Sequence, residues 1–136
     1  MKKEKLFPSL IEPEKILKFS YLMTTISHHY LIELRRVTSD KLDDIVFVRN
    51  ALVDAVREGG AGYLDDVFHK FSPQGVSGVV VISESHVSIH TWPESGYAAL
   101  DVFTCGDPGI GKRVTKLIIE KFQPERYTVD YIRRGL

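Results

Sequence analysis

Between Tyr63 and Thr104 four short apolar segments follow one another with only brief turns between them, and this constrains the fold more than any other feature of the chain. The segments are Tyr63 to Phe71, Gly75 to Ser83 with its run of valines, His86 to Trp92, and Tyr97 to Thr104. Connections this short cannot carry a parallel crossover, which needs a dozen or more residues, so successive strands run antiparallel. Upstream, His29 to Val37 alternates, with Tyr30, Ile32 and Leu34 on one side against Leu31, Glu33 and Arg35, as in a strand with one buried face. Leu42, Ile45, Val46, Arg49, Leu52, Val53 and Val56 then recur at spacings of three and four. That stripe predicts one helix, capped at Thr38 or Ser39 and ended by Gly59 and Gly60. Asp107, Pro108, Gly109 and Gly111 open a second helix carrying Val114, Leu117, Ile118 and Phe122, and Tyr127 to Ile132 reads as a closing strand.

The order strand, helix, four strands, helix, strand predicts an α+β fold: a two-layer sandwich, mainly antiparallel β-sheet with two helices on one face. The other face is left open, and the valine-rich strand makes a partner there the expectation. With 136 residues the chain is sized for one domain, taken as residues 27–136. Residues 1–26 read as an N-terminal extension, with Pro8 and Pro13 and a hint of a short helix or extended arm around Ile16 to Met23. Lysine plus arginine (18) balance aspartate plus glutamate (18), so no global field draws the protein to nucleic acid or an anionic membrane. The basic start, Met1 to Lys5, runs into Pro8, Glu12, Pro13 and Glu14 and does not resemble a signal peptide. The most apolar run, Gly78 to Ile82, is far short of the roughly 20 residues of a membrane span. A cytoplasmic protein with a small-molecule ligand, or a second copy of itself as partner, is expected. The single cysteine, Cys105, excludes an internal disulfide and a multi-cysteine metal cage and fits a reducing compartment.

The chemistry is concentrated between Phe71 and Gly106, where Ser77, Ser83, Ser85, His86, Ser88, His90 and Cys105 fall on neighbouring strands. Alternation along a strand turns His86, Ser88 and His90 one way and Ser85, Val87, Ile89 and Thr91 the other, unless a bend at Glu84 to His86 breaks the phase. A serine, a histidine and a cysteine that converge would support acyl transfer, with histidine as base and a hydroxyl or thiol as nucleophile. The plainer alternative is strand serines satisfied by neighbours, a half-buried histidine and a cysteine acting as a small apolar residue; spacing alone leaves both open. Gly109-Ile-Gly-Lys lacks the full spacing of a phosphate loop and reads as a helix start. His28 and His29 have no carboxylate or cysteine pattern beside them, so no metal is expected, and His69 and His86 read as structural.

Ser83-Glu-Ser-His, then Ile89-His-Thr-Trp-Pro-Glu, then Phe103-Thr-Cys-Gly resembles the hallmark of the short-chain bacterial and archaeal S-adenosylmethionine decarboxylases. Ser85, His90 and Cys105 stand five and fifteen residues apart, as in that family. The likeness is near-complete from Phe71 to Gly106 and looser elsewhere, with Tyr30, Glu33 and the segment after Asp107 departing from the commoner family sequences. It implies a proenzyme that cuts itself between Glu84 and Ser85 into a β chain, residues 1–84, and an α chain, residues 85–136. Ser85 would attack the Glu84 carbonyl with Ser77 and His90 assisting, His90 as the base that takes the Ser85 α-proton. A covalent pyruvoyl group would remain at position 85. No natural side chain is an electron sink, whereas a Schiff base between that ketone and the substrate amine is one. By the same resemblance Cys105 is the proton donor, Phe71 stacks on adenine and Glu94 takes the ribose hydroxyls; Trp92 reads as packing. The product would supply aminopropyl groups for spermidine. An arginine or ornithine decarboxylase with the same pyruvoyl machinery is the alternative, and a homodimer of processed αβ protomers is expected, paired through open sheet faces or edges with Phe71 or Glu94 serving the neighbour.

Overall fold

The structure, a computed structural model, describes residues 25–135; the N-terminal extension up to residue 24, with its hinted helix or arm, lies outside them. Six strands form one antiparallel sheet: β1 (Ser27–Arg35), β2 (Tyr63–Lys70), β3 (Val76–Ile82), β4 (Ser85–Trp92), β5 (Tyr97–Cys105) and β6 (Arg126–Arg134), in the order β2-β3-β4-β5-β1-β6. The four central segments make a meander, as their short turns demand, and β1 slots between β5 and β6.

Three helices, not two, cover one face. The apolar stripe that predicted a single helix is divided into α1 (Ser39–Asp43) and α2 (Ile45–Glu58). Asp44 causes the break: its backbone is extended and its carboxylate accepts from the N–H groups of Val46 (2.9 Å) and Phe47 (3.1 Å), capping α2. Thr38, the expected cap, makes no such bond. The helix ends where the paired glycines stand, and Gly60 takes the turn at φ +85. Asp107 caps α3 (Pro108–Phe122) through the Gly109 N–H at 2.8 Å, so Gly109-Ile-Gly-Lys is a helix start.

The core lies between these helices and one face of the sheet. Leu52 and Val56 of α2 and Val114, Ile118 and Phe122 of α3 meet Ile32, Leu34, Val80, Val87, Ile89, Leu100 and Val102, all 2% exposed or less. Even-numbered residues of β1 and β5 and odd-numbered residues of β4 therefore face the helices. The opposite phase, from Ser77 and His90 to Phe103 and Cys105, is left on the face that no described element covers.

The edge strand β2 is tied to α2 by Asp66, which accepts from Arg49 Nε and Nη2, both at 2.8 Å, and from the Tyr63 hydroxyl at 2.5 Å. The Arg49 guanidinium holds the Asp66 carboxyl below the usual aspartate range, helped by the Tyr63 hydrogen bond. A depressed carboxyl contributes stability above the unfolded aspartate pKa of about 3.9, and the contribution is lost as pH falls through the lower folded value. Asp66→Asn should therefore destabilise the protein by up to about 1 kcal/mol near neutrality. The gap between thermal melts of the two forms should narrow as pH falls below about 4, the unfolded aspartate value; an undiminished gap in acid would refute the assignment.

Candidate active site

Glu84 and Ser85 form the junction between β3 and β4. Ser85 opens β4 at φ +150, a backbone region that a residue with a Cβ rarely adopts, while the ladder register runs unshifted from it along β4. The Glu84 carbonyl oxygen accepts a hydrogen bond from the backbone N–H of Cys105 at 2.9 Å. This donor already points at the oxygen that would become negative if the carbonyl were attacked. Ser85 pairs across the ladder with Thr104, which is fully buried and whose hydroxyl has no hydrogen-bond partner among the described residues. Glu84, Ser85 and Cys105 thus make one cluster at the end of the sheet where β4 begins and β5 stops.

A second cluster lies at the other end of the same strands. Ser77 and His90 are ladder partners, and Ser77 Oγ lies 2.7 Å from His90 Nδ1. They line a cavity of about 370 Å³ together with Phe71, Gln74, Trp92 and Glu94. Glu94 is placed by the tight turn Pro93–Ser95 and accepts from Gln74 Nε2 at 3.0 Å. Phe71 is 47% exposed and Trp92 42%. Trp92, expected as packing, is therefore a wall of this cavity, braced by stacking on Tyr97 at 5.2 Å. Tyr97 is itself held by a hydrogen bond from its hydroxyl to the Glu33 carboxylate; that bond, with burial, pushes the phenol pKa upward.

The structure brings Ser77, His90, Phe71 and Glu94 together, and separately Glu84, Ser85 and Cys105, but it does not bring the two sets together within one chain. His90 is five residues beyond Ser85 on one continuous strand, a rise of about 16 Å. The strand expected from the sequence begins at His86, one residue after Ser85, so this separation is only partly legible there.

His28 and His29 point to opposite faces and share no site. His28 Nδ1 lies 2.5 Å from the Tyr131 hydroxyl on the helix side. His29 Nε2 lies 2.8 Å from Asp101 on the open face, and its ring contacts Phe103. Among the described residues no group of three or more histidine, cysteine or carboxylate side chains is arranged to hold a metal. No described helix is long and apolar enough to cross a membrane.

Nucleophiles, an imidazole and a thiol on the uncovered face of a helix-backed antiparallel sheet make the architecture of an enzyme, and comparison with known proteins identifies the kind. The sequence model of the S-adenosylmethionine decarboxylase family matches residues 28–135. The S-adenosylmethionine decarboxylase proenzyme of Pelotomaculum thermopropionicum is 49% identical over 114 residues, 84% of this chain and 90% of the relative. The proenzyme of the same name from Prochlorococcus marinus is 47% identical over 109 residues, 80% of this chain and 89% of the relative. The crystal structure of the adenosylmethionine decarboxylase from Aquifex aeolicus superimposes with a TM-score of 0.80 at 38% identity, covering 84% of this chain and 94% of that one. The chain belongs to the S-adenosylmethionine decarboxylase family.

Proposed function

We propose that the chain is made as a proenzyme, cuts itself between Glu84 and Ser85, and then decarboxylates S-adenosylmethionine for aminopropyl transfer in spermidine synthesis. The observation that carries this reading is the Glu84–Ser85 junction: a hydroxyl residue at φ +150 directly after a carbonyl that accepts from the Cys105 N–H at 2.9 Å. An amide resists attack by a serine unless the backbone is strained and the oxyanion met by a donor, and both conditions hold here.

Ser85 Oγ adds to the Glu84 carbonyl carbon as its proton passes to a base, and the C–N bond breaks as the Ser85 nitrogen takes a proton, leaving an ester. Removal of the Ser85 α-proton then breaks the Cβ–Oγ bond and frees Glu84 as a carboxylate terminus. The dehydroalanine left at position 85 tautomerises to an imine, and water releases ammonia from it. The base in this sequence is an imidazole backed by a hydroxyl, the Ser77–His90 pair. A pyruvoyl ketone at position 85 supplies the electron sink for decarboxylation, and the residues fit its formation in place.

Cys105, beside the junction, holds a proton at Sγ for delivery to the substrate α-carbon. Phe71 and Trp92 present exposed ring faces to an adenine and a sulfonium cation, contacts of about 0.5–2 kcal/mol each. Glu94 offers two carboxylate oxygens to vicinal ribose hydroxyls.

The two half-sites, about 16 Å apart on one chain, are joined in this reading by a second copy. Two chains packed open face to open face about a two-fold axis set the Ser77–His90 end of one against the Glu84–Ser85 end of the other. Val81 (42% exposed) and Ile132 (44% exposed) give that interface apolar surface. Release of labelled carbon dioxide from carboxyl-labelled S-adenosylmethionine, with none from arginine or ornithine, is the expected result. Release confined to either amino acid would overturn the substrate assignment.

A further inference from the structure

Gly62 lies between α2 and β2 and belongs to neither cluster, yet its backbone grips both residues that precede the Glu84–Ser85 bond. Its N–H donates to the Glu84 carboxylate, 3.2 Å from Oε1 and 3.1 Å from Oε2. Its carbonyl accepts from the Ser83 N–H at 2.7 Å and from the Ser83 hydroxyl at 3.3 Å. The approach is too close for a side chain: a Cβ on Gly62 would stand 2.2 Å from Ser83 Oγ and 3.0 Å from Ser83 Cβ. Glu84 is consequently held at both ends, its carboxylate by Gly62 and its carbonyl oxygen by Cys105. Two fixed points on one short residue determine where its carbonyl carbon sits relative to the Ser85 hydroxyl.

We propose that Gly62 is a positioning residue for self-cleavage, a main-chain clamp that holds Ser83 and Glu84 so that the Glu84 carbonyl is presented to Ser85. This rests on the self-cleavage reading above. Cleavage leaves Glu84 as a free terminus no longer joined to residue 85, and Gly62 does not line the cavity that carries Phe71, His90 and Glu94, so the clamp acts on maturation and not on turnover by mature enzyme.

Cleavage of freshly purified full-length chain, followed by denaturing gel and mass spectrometry, tests the clamp. Gly62→Ala should slow cleavage about tenfold, the scale of effect expected when a reacting group is displaced by a fraction of an ångström. The rate of carbon dioxide release per processed site should stay native. Ser83→Gly removes both atoms that the new methyl group meets, so Gly62→Ala with Ser83→Gly should cleave as fast as Ser83→Gly alone. Glu84→Ala adds no atoms and so answers for any folding defect in Gly62→Ala; it should be slowed comparably, with Glu84→Gln, which keeps one acceptor, in between. Native-rate cleavage in Gly62→Ala and Glu84→Ala, or a double variant as slow as Gly62→Ala, overturns the clamp alone. A native chain that never cleaves overturns the self-cleavage reading and the clamp with it.

Discussion

Ser85→Ala is expected to leave the 15.4 kDa chain whole and without decarboxylase activity, whereas the native sequence is expected to yield two fragments, residues 1–84 and 85–136. The substitution removes one oxygen at a half-buried position and disturbs no core contact, so the fold should survive. Every later step depends on that oxygen, because without the ester there is no β-elimination and no ketone at position 85. Denaturing mass spectrometry reports both the cut and the mass change at the new N-terminus. A Ser85→Ala chain that still divides at this bond would sink the mechanism.

A mixture of two dead variants should regain activity. Ser85→Ala lacks the nucleophile and His90→Ala lacks the imidazole, so neither is expected to cleave on its own. In a mixed dimer the His90→Ala chain retains Ser85 and lies against the intact His90 of its partner, so that chain alone should be cut. The expectation follows from the rise of about 16 Å between the two residues on β4, too far for direct proton transfer between side chains of the same chain. Co-expression with two different affinity tags isolates the mixed dimer, and a gel shows which chain has been divided. Mixed dimers that form and remain uncut would refute a site shared between chains.

Much of this architecture was legible in the sequence because strand alternation and turn spacing act locally. Val87, Ile89, Leu100 and Val102 announce a buried face by apolar period alone, and brief connections force the meander from β2 to β5. The division of the first helix was not legible from the apolar stripe, which continues across Asp44. There a side-chain cap competes with helix propagation, and periodicity does not register caps. The residues of the two clusters were legible as types and as family resemblance, but their grouping depends on register across strands. Ser77 meets His90 because a tight turn folds β3 onto β4, and Glu84 meets Cys105 because β5 ends opposite that turn. Gly62 carried no signal at all: its role comes from a loop and a strand junction 22 residues apart approaching within hydrogen-bond distance.

In the proposed mechanism position 105 has two roles of different heritability, its thiol as proton donor and its N–H on the Glu84 carbonyl. Its thiol depends on the residue being cysteine, whereas its main-chain donor survives every substitution except proline. Under that mechanism, drift at this one codon would weaken turnover while the proenzyme still matured. A lineage could pass through slow but correctly processed enzymes without ever losing the capacity to make the ketone.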